Sequence, residues 1–340
     1  MSMFSPIAPA GSTHLLLPFA ACIDSAALNA VKALPLVHTQ NLSTVLQGMA
    51  ALTRTSTDAR SFSPPHERVL ATCLGWAGQT LADGLIPWGA LACLDLTNAV
   101  DVNKAWAIVT PCHWSMGRER ATLTDPNALG LSEADAKTLL AAMQPYCQED
   151  GITLHYLAPT QWLAAGEVFR DLPTASLDRV LGRDVDRWLP GGDSGKLLRR
   201  LQNEMQMLLY THPVNEARNA ARQLPVNSIW FSGTGDLSPG FDGAHSRQMQ
   251  EKIQVPRSLA QAALAGDWAA YAAAWTELDA TYGRDLLARQ AAGETVQLTL
   301  CGERAAQTWV STPPSLGLRI KRGLPFLFSP RPLWAYLEPL

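Results

Sequence analysis

No two of the six cysteines (Cys22, Cys73, Cys93, Cys112, Cys147 and Cys301) stand at Cys-x-x-Cys spacing in this 340-residue chain. Neither a zinc ribbon nor a dense disulfide framework is thereby indicated, and reduced, mostly buried thiols are expected. Long runs of one charge are missing as well, since 27 basic and 30 acidic residues are interspersed for a formal charge of -3. A nucleic-acid footprint over the whole surface is therefore not expected, although a local basic patch stays open. No apolar stretch approaches the roughly 20 residues that a spanning helix requires, and the one at 15–22 is far shorter. The first dozen residues carry neither Lys nor Arg, so the positively charged start of a secretory signal is absent. A cytoplasmic protein without a membrane span is the expectation. Histidine is scarce too: there are seven, and only His245 follows His212.

What is present is apolar: 47% of the residues, enough for a substantial core in a chain whose length allows two domains. Eleven tryptophans belong in that core or in cleft walls. Residues 1–12 read as a loose lead-in and 14–20 as a short buried strand. Apolar residues recur at helical spacing over 26–54 and 65–82, ending at the turn Asp83-Gly84. The stretch 105–111 predicts a strand, with 120–124 as its partner. Ser132, with Asp135 three positions on and Leu139, Leu140 and Met143 beyond, announces an N-capped helix. Alternation over 152–157 predicts a half-buried strand, 190–195 a flexible loop, and 197–210 an amphipathic helix that stops before Pro213. Downstream, 228–231 reads as a strand running into Gly233-Thr234-Gly235, 238–243 as a loop, 258–289 as two helices and 295–300 as a strand. A Pro-rich tail holds a short basic piece at 319–322.

The most informative segment is 201–236, where a helix leads into His212-Pro213-Val214-Asn215, then Arg218, Arg222 and Pro225-Val226-Asn227-Ser228-Ile229-Trp230. Asn215 and Asn227 stand at element boundaries, where a side-chain amide either satisfies main-chain groups or grips a ligand. Arg218 and Arg222, four apart, share a helical face and present forked donors suited to phosphate or carboxylate. Arg170 and Arg183 lie in a charged stretch with Asp178, Arg179, Asp184 and Asp186. That stretch reads either as a solvated face of ion pairs or as an extension of an anion pocket. His113 follows a strand, where an imidazole faces a cleft or serves structurally, and Cys112 beside it gains no reactivity from adjacency alone. Glu303 and Arg304 follow the 295–300 strand, in position for a ligand crevice or a surface ion pair. The candidate ligand-binding set is Arg170, Arg183, His212, Asn215, Arg218, Arg222, Asn227 and His113. No catalytic residue, metal ligand or cofactor is assigned.

The order of HPVN, a short helix, PVNSIW and a Gly-x-Gly resembles the archaeal-type cofactor-independent phosphoglycerate mutases of the alkaline phosphatase superfamily. The likeness runs over 105–236 and matches the α+β region inserted between the halves of their catalytic core. The whole chain, with LRRLQNEMQMLLYTHPVN, ASLDRVLGRDVD and LCGERAAQTW, more closely resembles the bacterial RpfE-type regulatory proteins of proteobacteria. The resemblance implies an α/β fold with a mixed sheet flanked by helices. It also implies three parts: a mainly helical N-terminal part of the core at 1–104, the insert-like domain at 105–236, and C-terminal helices and strand completing the core at 237–340. The mutases resembled here hold two divalent metals with an acid at the end of the first strand and several His and Asp after the insert. In this chain the first strand runs into Pro18-Phe19-Ala20-Ala21, and His245 stands alone after the insert. The expectation is a degenerate, non-catalytic regulatory or interaction protein that binds a protein partner or a small anionic ligand. The alternatives are a metal-free enzyme acting on a phosphorylated or carboxylated small molecule, and an accessory protein to a nucleic-acid enzyme, for which nucleic acid would be only an indirect partner.

Overall fold

A computed structural model describes residues 13–76, 81–96, 101–117, 120–237, 241–311 and 331–340. The lead-in at 1–12 and the basic piece at 319–322 lie outside the described residues. The chain forms two compact units, one comprising 1–59, 64–78 and 244–340, the other 60–63 and 79–243.

In the first unit a five-stranded sheet runs in the order β2 (Met49–Ser56), β11 (Ala305–Ser311), β10 (Val296–Cys301), β1 (Thr13–Leu17) and β9 (Ile253–Gln254). The sheet is mixed: β1 is parallel to β10 and β9, while β10, β11 and β2 are antiparallel. Every residue of β10 is buried, so both faces of the sheet centre are covered. The covering helices are α1 (Ser25–Lys32), α2 (Gln40–Gln47), α10 (Ser258–Ala265), α11 (Trp268–Leu278) and α12 (Arg284–Ala291). They contribute Val31, Leu42, Leu259, Trp275 and Leu286 to a core around Leu15, Leu298 and Leu300. The helix α3 (Pro65–Ala71), the helix α9 (Gly243–Lys252) leading into β9, and the short helix Trp334–Leu337 also belong to this unit.

One expectation for this unit needs correction. Helical spacing over 26–54 hides β2, an edge strand whose residues are all half-buried or exposed. Hydrogen bonding to β11 outweighs the helical preference of its Ala-Ala-Leu start. The stretch 258–289 makes the expected two helices, α10 and a second that runs from α11 through a π-helical turn at Asp279–Gly283 into α12 without leaving helical φ/ψ at either junction. That turn presents the buried Asp279 carboxylate to the start of α2, where it accepts from the Asn41 side chain at 2.9 Å and from Leu42 N at 2.8 Å.

The second unit is built on a four-stranded antiparallel sheet in the order β6 (Thr153–Ala158), β7 (Gln161–Ala165), β3 (Trp106–Cys112) and β8 (Ser228–Gly235). The helix α5 (Glu133–Glu149) starts where expected, with Ser132 Oγ accepting from Asp135 N at 3.1 Å. With α7 (Gly192–Tyr210) it covers one sheet face, where Val109, Trp162, Ala164 and Phe231 meet Leu139, Met143, Leu201 and Met205. Alternate side chains, Trp106, Leu163 and Ala165, turn to the other face and meet Ala90 of α4 (Trp88–Ala92).

The contact with α4 explains the Gly-x-Gly. A Cβ on Gly89 would lie 2.7 Å from the Ala107 Cα, and one on Gly233, at φ +60°, would lie 2.7 Å from the Trp88 Cβ. Gly233-Thr234-Gly235 is therefore the end of β8 itself, kept bare so that a helix backbone can approach. The stretch 121–123 is β5 (Ala121–Leu123), and it pairs with β4 (Trp114–Met116) rather than with β3, whose two edges are occupied by β7 and β8. The expected loop at 190–195 supplies the first turn of α7, with Gly195 packed against the Pro190 carbonyl. The short α6 (Leu177–Val180) and α8 (Pro213–Ala220) complete this unit. Among the described residues no helix is long and apolar enough to cross a membrane.

Candidate functional site

Four consecutive residues before β8, Leu224 to Asn227, are each held by a side chain from the sequence-derived set. Arg218, buried in α8, donates through Nε to the Leu224 carbonyl at 2.9 Å and through Nη2 to the Leu129 carbonyl. His113 Nδ1 lies 2.9 Å from the Pro225 carbonyl, which can only accept, so the ring hydrogen sits on Nδ1. Asn215 is buried and donates to the Val226 carbonyl at 2.7 Å and the Leu209 carbonyl at 2.8 Å, and accepts from Val226 N at 2.9 Å. Asn227 accepts from Trp114 N at 2.7 Å and donates to the Trp114 carbonyl at 3.0 Å, copying a strand pairing with its side chain. These residues position the main chain and, through Asn227, the β4–β5 hairpin.

His212 is the N-cap of α8, its Nδ1 accepting from Val214 N at 3.2 Å with Pro213 in the first turn. Arg222 is exposed, in a turn at φ +57°. Arg170 is engaged by two carboxylates, Glu167 and Asp236, the latter at 2.6 Å. They hold its guanidinium pKa above the usual value, Glu167 contributing most. Of the candidate set, Arg183 borders a cleft of this unit.

A cleft of about 470 Å³ is lined by Arg120, Arg183, Asp184, Arg187 and Trp188. A second, of about 410 Å³, shares Arg120 and continues along Trp114, Asp186, Arg199, Gln202, Asn203 and Gln206. The surrounding geometry is local. Asp184 caps the 3₁₀ turn Val185–Trp188, accepting from Asp186 N at 3.3 Å, and also pairs with Arg187 at 3.3 Å. Arg199 donates to the Pro190 carbonyl at 2.5 Å, and Gln202 donates to the Ile229 carbonyl at 3.1 Å. Arg120, Arg187 and Arg199 were not singled out from the sequence. One signal was available: Arg199, Gln202, Asn203 and Gln206 fall at i, i+3, i+4 and i+7, a polar stripe on an otherwise amphipathic helix.

The first unit offers a different group. At the carboxyl end of β1 the Tyr271 hydroxyl lies 2.8 Å from the carbonyls of Phe19 and Ala20, and burial raises its pKa well above the usual value. Phe19 adopts φ +55°, and Glu303 accepts from Ile23 N at 2.9 Å. Deeper in the sheet His14 Nε2 lies 2.7 Å from Thr299 Oγ1, which lies 2.7 Å from Thr308 Oγ1, and His14 Nδ1 lies 3.7 Å from Cys73 Sγ. Burial pushes the His14 imidazole down to about 4 and the Cys73 thiol up to about 11. Both are neutral near pH 7, and a neutral thiol is neither a strong nucleophile nor a metal ligand. Among the described residues no three of His, Cys, Asp and Glu gather as a metal site. A pair of divalent ions about 3.5–4 Å apart needs several such donors, and these residues do not fit one.

No family model matches the chain. It is 25% identical to a 2,3-bisphosphoglycerate-independent phosphoglycerate mutase of Methanosarcina mazei over 197 residues, 57% of this chain and 47% of the relative. To the protein of that name from Methanosarcina barkeri it is 34% identical over 73 residues, 22% of this chain and 18% of the relative. The chain thus spans less than half the length of the curated relatives that it matches. Among solved structures, the PH0037 protein from Pyrococcus horikoshii superposes with a TM-score of 0.44 at 11% identity, covering 90% of this chain and 88% of that one. A cofactor-independent phosphoglycerate mutase from Thermoplasma acidophilum superposes with a TM-score of 0.35 at 13% identity, covering 88% and 90%. The chain is weakly similar in sequence to archaeal-type cofactor-independent phosphoglycerate mutases.

Proposed function

We propose that this chain is a relative of the cofactor-independent mutases that does not perform two-metal phosphoryl transfer and serves as a regulatory or interaction protein of the RpfE type. The observation that carries this reading is the carboxyl end of β1. There Pro18-Phe19-Ala20-Ala21 offers no acid, and the Phe19 and Ala20 carbonyls face the neutral Tyr271 hydroxyl. His14, on the same strand, is buried and hydrogen-bonded to Thr299, so it is not displayed to an ion. Supporting it further, the HPVN and PVN side chains of the mutase-like stretch hold main chain rather than a common pocket.

The test is direct. Purified protein is titrated with Mn²⁺ and Zn²⁺ by calorimetry and assayed for interconversion of 3- and 2-phosphoglycerate with each ion present. The expected outcome is no stoichiometric uptake of two ions and no turnover above the blank. Tight binding of two ions, or turnover with either, overturns the reading.

A further inference from the structure

We propose that the arginine-lined cleft of the second unit is a binding site for a nucleoside polyphosphate. The inference rests on the cleft alone and holds whether or not the first unit catalyses a reaction. Two hollows of about 470 and 410 Å³ meet at Arg120, and each lies within the range of roughly 300–1,000 Å³ usual for small-molecule sites. Their chemistries differ. The first brings together Arg120, Arg183 and Arg187 beside Asp184, whose carboxylate is already engaged by Arg187 at 3.3 Å and by Asp186 N. Guanidinium forks match phosphate oxygens two at a time, and the exposed Arg120 and Arg187, with the half-buried Arg183 beside them, suit a chain of phosphates better than a single anion.

The second hollow holds one further arginine, Arg199, and is otherwise built from Trp114 and the amides of Gln202, Asn203 and Gln206, with Asp186 among them. An indole offers a surface for a planar ring, and amides both donate to and accept from the edge of a base; the Gln202 and Gln206 nitrogens already donate to the Ile229 carbonyl and Ser228 Oγ, so Asn203 is the amide best placed to do both. A carboxylate accepts from ribose hydroxyls and would repel a bare phosphate. A polyphosphate without a nucleoside would use none of these groups but Arg199. Arg120, at the junction, would contact the phosphate nearest the sugar.

The experiment is calorimetric titration of the full chain, without added metal, with ADP, GDP, CDP, UDP, inorganic pyrophosphate, adenosine and a single-stranded decanucleotide. The variants are Arg120→Ala and Arg187→Ala, both at exposed positions. Arg222→Gly serves as the control, removing an equal charge at a positive-φ turn where glycine is at ease. At least one diphosphate should bind one to one, at least about tenfold tighter than pyrophosphate or adenosine. Arg120→Ala and Arg187→Ala should each weaken it by about tenfold or more, and Arg222→Gly should leave it unchanged. Several outcomes overturn the proposal: no diphosphate binds, pyrophosphate binds as tightly, the decanucleotide binds more tightly, or the two arginine variants bind like the parent.

Discussion

Both units bury polar side chains, and one cluster in each pairs them with a different kind of partner. In the first, His14 meets Thr299, and Thr299 meets Thr308, side chain to side chain across neighbouring strands. In the second, Asn215, Arg218 and His113 each close onto main-chain carbonyls or amides of one short stretch. A group facing hydroxyls and a thiol in an apolar core keeps its power to titrate, so the first unit should register pH. The Asn215 amide does not titrate and its partners are peptide groups, so the cluster around it should register truncation.

The largest effect tests the second half of that contrast. Asn215→Ala removes three hydrogen bonds and leaves the Val226 N–H and carbonyl buried without their partner, while the Leu209 carbonyl keeps the His212 N–H at 3.2 Å. It should cost about 4 kcal/mol, from roughly 1–3 kcal/mol per orphaned buried group with partial relaxation. Urea unfolding read at the second unit, by hydrogen exchange of β8 amides, is the measure. A loss below about 1 kcal/mol would show that water or neighbours replace the amide and that the motif is dispensable for the fold.

Acid should reveal the first unit. The His14 pKa falls from 6.5 to about 4 through burial, so below pH 6.5 the unfolded chain takes up a proton that the folded chain refuses. The stability from keeping this ring neutral is complete above about 6.5 and is lost progressively as pH falls towards 4, by about 3 kcal/mol in all. Unfolding midpoints at pH 7.5 and 4.5 should therefore separate more for the parent than for His14→Gln, which has nothing to protonate. Equal separation in the two chains would remove His14 as the sensor.

The smallest effect sharpens the reading of HPVN. His212→Ala should lose about 1 kcal/mol, the usual worth of an N-cap, and His212→Asn should recover most of it. Thermal unfolding gives the comparison. If Asn is no better than Ala, the Val214 contact is not what keeps a histidine here.

Legibility from sequence followed the range of the forces involved. The strand β1, the capped helix α5 and the amphipathic helix α7 were all marked by residues within one or two turns of each other. The edge strand β2 was not, because its local composition favours a helix and only β11 supplies the opposing hydrogen bonds. The hairpin β4–β5 was misassigned for a related reason: strand propensity names strands but not their neighbours. Around the candidate site, Asn215, Arg218 and Asn227 were visible as unusual polar residues at element ends. What they touch was not visible, since an amide that caps main chain and one that grips a ligand look alike in a sequence.

By itself the sequence determined the periodic elements, the turn and cap chemistry, and the lack of an acid where β1 ends, because each depends on residues adjacent along the chain. Tertiary structure alone decided the pairing of His14 with Thr299 across 285 positions, of His113 with Pro225 across 112, and of Arg218 with Leu129 across 89. It alone brought Arg120 and Arg199 to one cleft. The physical reason is that hydrogen bonds and charges act over a few ångströms of space, and distance along the chain leaves no periodic trace of who will stand within that reach.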